Sequence, residues 1–218
     1  MSDQCSLKGP PLGLENLTAS ELMGLDAAKG TRERLIRVGM DLVYEYGYHN
    51  VGIDQFISAA GVTKTTFYNH FESKDDFLVA VIRMRDKMEL SAFERMSLEI
   101  AGEEEPRKVL LAMFDVLDAW FNSPEFAGCM FVNAAIAFPN PNDPIHQAAC
   151  EHPRHIRQRV LNYTRWLGVS DPDGLADGLA LLMQGALAMR TAADNNDAAK
   201  TARTMAEQMI DCVLANKA

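Results

Sequence analysis

Two short helical patterns meet at Ala59-Ala60-Gly61, and no other feature restricts the architecture of this chain as tightly. Three small residues in succession let two helices approach closely, the packing requirement of a helix-turn-helix. Before the junction, Ile53–Ala60 follows Gly52, with Gln55 placed to reach back to the helix start. After it, Gly61-Val62-Thr63 reads as a tight turn ending in a helix N-cap. The helix predicted next, Lys64–Phe71, is about two turns long. Its spacing buries Phe67 and Phe71 and turns Thr65, Thr66, Tyr68, Asn69 and His70 outward. An outer face made of hydrogen-bonding groups of modest length is suited to a polar partner, and double-stranded DNA fits best.

The surrounding sequence is helical throughout. Thr31 opens a helix with Leu35, Val38, Leu42, Val43 and Tyr46 at helical spacing, and Gly47 is its expected C-cap. Ser73 precedes a long pattern over about 74–100, with Phe77, Leu78, Val81, Ile82 and Met88 on one side. Further helices are expected at about 107–122, 127–138, 145–167, 173–193 and 197–216. Their separators are Asn122-Ser123-Pro124, Pro139-Asn140-Pro141-Asn142 and the run from Gly168 to Pro172. Pro153 predicts a kink or a fresh start inside 145–167, leaving one helix or two open. Residues 1–30 read as a flexible arm, interrupted by a capping-box pattern at Thr18-Ala19-Ser20-Glu21. No strand alternation or internal repeat is present, so the expected fold class is all α.

Charge and cysteine content limit the function classes. The formal net charge is −9 over 218 residues, which opposes nonspecific binding to polyanions. Residues 31–90 carry eight Lys/Arg against nine Asp/Glu, so most of the acidic excess lies elsewhere. Local charge placement, not the sum, sets what a surface attracts. Cys5, Cys129, Cys150 and Cys212 lie far apart with no Cys-x-x-Cys spacing, the pattern of reduced thiols in a cytoplasmic protein. The longest apolar stretch, Gly178–Met189, is interrupted by Gln184 and too short to span a bilayer, so no membrane partner is expected.

The run Gly61-Val62-Thr63-Lys64-Thr65-Thr66-Phe67-Tyr68-Asn69-His70-Phe71-Glu72-Ser73-Lys74-Asp75-Asp76-Phe77-Leu78 strongly resembles the DNA-binding domain of tetracycline-repressor (TetR) family regulators. The likeness begins near Thr31 and covers roughly a fifth of the chain. It implies a DNA-binding domain over 31–78 joined by a long fourth helix to an effector-binding and dimerisation domain over 79–218. It also implies a homodimer formed by the last two helices, and a repressor released by a small apolar or amphipathic effector. Thr63, Lys64, Thr65, Thr66, Tyr68, Asn69 and His70 match recognition-helix positions, and Lys74 matches a phosphate-contacting lysine opening the fourth helix. The chain departs from the family at Gly52, often Ser or Thr, and at Thr65, often Gly.

Chemistry assigns roles within that set. Asn69 is suited to pair with adenine, and Thr65 or Thr66 to reach base edges or a thymine methyl. Lys64, Tyr68, His70 and Lys74 suit phosphates, which fix register and carry no sequence information. One short helix reads few bases, so a symmetric dimer on palindromic DNA is expected. Leu175, Leu179, Leu182, Ala186 and Met189 form one candidate dimer stripe, and Met205, Met209, Cys212 and Val213 another. The central region is rich in aromatic and methionine side chains, which serve as core or as the lining of an apolar cavity. Candidates for that lining are Met113, Phe114, Trp120, Phe131, Asn133, Trp166 and Gln184.

Rival readings remain at this level. His146, Cys150, His152 and His155 cluster in sequence and suggest a metal- or redox-responsive regulator, although Cys150 and His152 fall on different helix faces and no usual ligand spacing is present. No cofactor is expected. An effector-free architectural DNA-binding protein is the other alternative. Enzyme motifs are absent: there is no phosphate loop, Gly-x-Ser-x-Gly elbow or His-Glu-x-x-His sequence.

Overall fold

The computed structural model describes residues 30–102, 105–124 and 126–216. The arm and the capping box at Thr18–Glu21 therefore lie outside the described residues. Every regular element among the described residues is helical: α1 (Thr31–Tyr46), α2 (Ile53–Ala60), α3 (Lys64–Tyr68), α4 (Lys74–Ala101), α5 (Pro106–Phe121), α6 (Met130–Ala137), α7 (Pro144–Leu167), α8 (Pro172–Ala193) and α9 (Ala198–Ala215).

Helices α1–α3 fold around a knot of phenylalanines. Phe56, Phe67, Phe71 and Phe77 are all buried, with ring centroids 4.7–5.4 Å apart. Offset and edge-on rings at these separations attract one another beyond the area they bury. Phe77 belongs to α4, so the long helix is part of this core. Gly39 makes its approach possible: a Cβ there would lie 2.5 Å from Cζ of Phe77. The expected domain division at 78/79 thus falls inside one continuous helix of 28 residues.

Local sequence explains the helix ends. Gly47 stops α1 with φ 82°. Gly61 stops α2 with φ 62°, its N–H donating to the Ser58 carbonyl. Gln55 reaches back as expected, its Oε1 accepting from the Gly52 N–H at 2.7 Å. Ser73 caps α4 by accepting from the Asp76 N–H at 3.0 Å. In α7 the chain runs through Pro153 as one helix. Pro153 is exposed, while Ala148, Ala149, His152, Ile156 and Val160 bury the opposite side along both halves. That packing offsets the loss of one backbone hydrogen bond, because tertiary burial supplies most helix stability.

Helices α4–α9 form a bundle, with α9 tied to α5 by Arg107, which donates to Asp211 at 2.8 and 2.9 Å and to Glu207 at 3.0 Å. Among the described residues no helix is long and apolar enough to cross a membrane.

Candidate nucleic-acid interface and internal cavity

The expected two-turn helix is shorter than its sequence pattern. α3 contains five residues and ends at Tyr68, with Asn69 at its C-cap and His70 in the following turn. The chain must turn there to insert Phe71 into the phenylalanine core before Ser73 starts α4. Spacing alone placed Phe67 and Phe71 on one helical face, but the hydrogen bond from Phe71 N–H to Phe67 carbonyl closes the last turn and does not extend it.

The structure separates the predicted DNA residues by occupation. Thr63 caps α3, accepting from the Thr66 N–H at 3.1 Å, and its hydroxyl lies 2.8 Å from that of Thr66. Thr66 is half-buried, so these two threonines build the helix end. Lys64 lies 3.8 Å from Asp54 in a solvent-exposed pair of little energetic consequence. Thr65, Asn69 and His70 are exposed, and Tyr68 is 46% exposed. The Lys74 ammonium donates to the Tyr48 carbonyl at 3.1 Å, tying the start of α4 to the loop after α1.

That loop also grips the bundle. The Tyr48 hydroxyl donates to the Met130 carbonyl at 3.1 Å, and His49 Nε2 donates to the Ala137 carbonyl at 2.9 Å. The His49 ring lies 5.0 Å from that of Phe138. Both ends of α6 are therefore fastened to the segment leading into α2. Burial pushes the Tyr48 hydroxyl pKa well up, so it remains a proton donor there.

A cavity of about 120 Å³ opens between α4, α5, α7 and α8. Of the seven residues expected to line it, Trp120 and Gln184 do so. Met113, Phe114 and Phe131 are buried in the surrounding core, Asn133 is exposed, and Trp166 is 54% exposed on α7. The wall missed by the sequence reading includes Tyr44 of α1 and Arg85, Glu89, Phe93 and Met96 of α4. Their recurrence along one face of α4 is visible in sequence, but its charged members resemble a solvated helix face.

The polar end of the cavity adjoins an ordered network. Arg85 Nε donates to Glu89 at 2.8 Å. Buried Asp86 accepts from Nδ1 of His152 at 2.8 Å and from Nδ1 of His155 at 2.7 Å. The His152 ring stacks on Phe131 at 3.8 Å. Burial works to raise the Asp86 pKa, but hydrogen bonds and charge from the two histidines outweigh it and hold the carboxyl below its ordinary range. The sequence cluster is thereby split: His146 donates to the Phe138 carbonyl, and His152 and His155 share Asp86. Among the described residues no group of three or more His, Cys, Asp or Glu side chains is arranged to hold a metal ion. Cys129 also lines the cavity, and burial pushes its thiol up to about 12, well away from a reactive thiolate at neutral pH.

Comparison with known proteins agrees with this geometry. The family described as "Bacterial regulatory proteins, tetR family" matches residues 35–81, which span α1–α3 and the start of α4. The transcriptional regulator AcuR of Cereibacter sphaeroides is 40% identical over 63 residues, 29% of each chain. The transcriptional repressor NemR of Escherichia coli is 29% identical over 105 residues, 47% of this chain and 51% of its own. These matches span 29% and 51% of the relatives' lengths. A solved TetR-family transcriptional regulator from Streptomyces coelicolor superposes over 84% of this chain and 96% of its own, with 27% identity and a TM-score of 0.74. Residues 35–81 thus match the tetR family of bacterial regulatory proteins in sequence, and the described chain shares the fold of a solved TetR-family regulator.

Proposed function

We propose that this protein is a cytoplasmic transcription regulator that binds palindromic duplex DNA as a homodimer and acts as a repressor released by a small-molecule effector. The observation that carries the reading is the face of α3 and its following turn. Phe67 anchors the helix from within, while Thr65, Tyr68, Asn69 and His70 face solvent. Such an element fits the major groove, where short polar side chains reach base edges. Lys64 and the Lys74 ammonium, beyond its tie to Tyr48, are the groups suited to phosphates.

The dimer reading is supported at α8 and α9 by part of the expected stripes, together with Leu181. Leu175, Leu179 and Ala186 are buried within the chain. Exposed are Leu181 at 73% and, from the expected stripes, Met189 on α8 and Met205 on α9, with Cys212 two turns further along the same face. Gly185, one turn from Leu181, has open space where a Cβ would stand, room for a facing helix. A two-fold pairing of these stripes sets the separation of the two α3 helices.

Selection of bound fragments from a random duplex pool by the purified protein, at near-physiological salt, tests the proposal. Enrichment of a palindrome supports it. A folded, dimeric protein that enriches no sequence overturns it.

A further inference from the structure

The two ring nitrogens of His152 on α7 stand in unlike surroundings. Nδ1 donates to Asp86 at 2.8 Å, and the ring face lies on Phe131. Nε2, on the other edge, has no hydrogen-bond partner among the described residues. It stands 3.8 Å from Glu89 Oε1, beyond hydrogen-bond distance. His152 is only 6% exposed, and both it and Glu89 line the cavity. A buried polar nitrogen without a partner costs free energy, which a molecule supplying the missing bond recovers. Glu89 also divides its oxygens: Oε2 accepts from Arg85 Nε at 2.8 Å, and Oε1 faces the histidine.

We propose that this cavity takes a small uncharged alcohol, its hydroxyl seated between His152 Nε2 and Glu89 Oε1 and its hydrocarbon part among the apolar residues beyond. The inference rests on the effector reading above and names the ligand class of that site.

The gap selects the group. An oxygen about 2.8 Å from each atom fits a separation of 3.8 Å. With Nδ1–H directed at Asp86, Nε2 is a lone pair in the neutral ring and a second N–H in the charged one. A hydroxyl answers both: it donates to the lone pair, or it accepts from the N–H while donating to Glu89. A carbonyl or ether oxygen serves only the charged ring and leaves Glu89 Oε1 facing another acceptor.

Charge is disfavoured in either sign. The Arg85 and Glu89 side chains are 11% and 24% exposed and satisfy each other at 2.8 Å. An anion at Nε2 would lie against the Glu89 carboxylate. A cation there would share a carboxylate that Arg85 already neutralises, adding an unbalanced charge in a largely buried place. Asp86 offers no compensation, because His152 and His155 occupy both its oxygens.

The rest of the wall sets size and hydrocarbon character. Phe93 and Met96 follow Glu89 along one face of α4, joined by Leu117 of α5 and by Met183 and Leu187 of α8. An apolar cavity of about 150 Å³ accepts benzene, so about 120 Å³ suits roughly six non-hydrogen atoms. An alcohol held at Nε2 sits one ring away from Phe131 of α6, the helix whose two ends are fastened to Tyr48 and His49.

Three ring compounds of equal size test the assignment: cyclopentanol, cyclopentanone and cyclopentylammonium. The full chain carrying Trp166→Phe leaves Trp120, a cavity residue, as its single tryptophan. Cyclopentanol is expected to shift its emission saturably, at concentrations at least fivefold below cyclopentanone and at least tenfold below cyclopentylammonium. His152→Phe in the same background keeps a ring on Phe131 and removes Nε2. It is expected to bring cyclopentanol and cyclopentanone within about twofold of each other. If that variant does not fold, thermal upshifts of the unaltered protein decide: the alcohol first supports the proposal, and any other order overturns it. Ketone or amine binding as tightly as the alcohol, no saturable response to cyclopentanol, or an alcohol preference retained in folded His152→Phe also overturns it. These titrations contain no DNA, so their failure leaves DNA binding untouched. Cyclopentanol binding with unchanged operator affinity supports the ligand class and overturns the release reading instead.

Discussion

At Gly39 the side chains of Phe77 and Val81 on α4 pack directly against the backbone of α1, in space that a single methyl group would fill. A Cβ would meet the Phe77 ring at 2.5 Å and the Val81 side chain at 2.8 Å. Gly39→Ala is therefore expected to destabilise the N-terminal unit by about 1–3 kcal/mol through overpacking, read as a lower thermal midpoint. Asp86 gives a pH-dependent counterpart. Its folded pKa lies below the ordinary value because two histidine donors outweigh burial. The unfolded chain thus takes up this proton first as the solution is acidified. The stability contributed by Asp86 is fully present above the ordinary carboxylate value of about 4, and is lost as pH falls through the lower folded value. Asp86→Asn is expected to cost about 2 kcal/mol at neutral pH and to flatten the acid limb of a urea-midpoint profile. An unchanged limb would place the acid sensitivity elsewhere.

At the scale of elements, α3 has threonines that build its end and one, Thr65, that faces solvent and on the proposed reading faces DNA. Thr63→Ala removes the cap and is expected to cost about 1 kcal/mol of stability together with DNA affinity. Thr65→Ala should leave the unfolding curve in place and lower operator affinity alone, a contrast visible by pairing thermal melts with fluorescence anisotropy. Helix positions were largely legible in the sequence because caps and breakers are local: Gly47, Gly61 and Ser73 each act within a few residues of themselves. The end of α3 was not legible. Its spacing permits another turn, and only the demand of the phenylalanine core for Phe71 stops it. Pro153 left one helix or two open in the sequence, and burial on either side of it holds α7 together as one.

For the whole molecule, the legible part was the plan and the illegible part was which faces meet. Leu179 and Leu181 are equally apolar, yet one is fully buried and the other is 73% exposed. Periodicity identifies a stripe but leaves open which neighbour covers it. The cavity was harder still, because Tyr44 reaches it from α1 across the chain, and no local pattern records that meeting. If the exposed stripe forms the dimer, Leu181→Glu should give a folded monomer by sedimentation at micromolar concentration, with operator affinity sharply reduced. A Leu181→Glu dimer of normal stability would move the interface to another face.

The side chains of Thr65 and Asn69 have no hydrogen-bond partner among the described residues, although they stand between positions the core cannot do without. Substitution there leaves the phenylalanine knot, the Thr63 cap and the Ser73 cap intact. If these positions read DNA as proposed, target preference can drift through them while the rest of the molecule stays as it is. A duplicated copy of such a regulator is free to acquire a new site on the chromosome by a few exposed changes, without first having to be rebuilt.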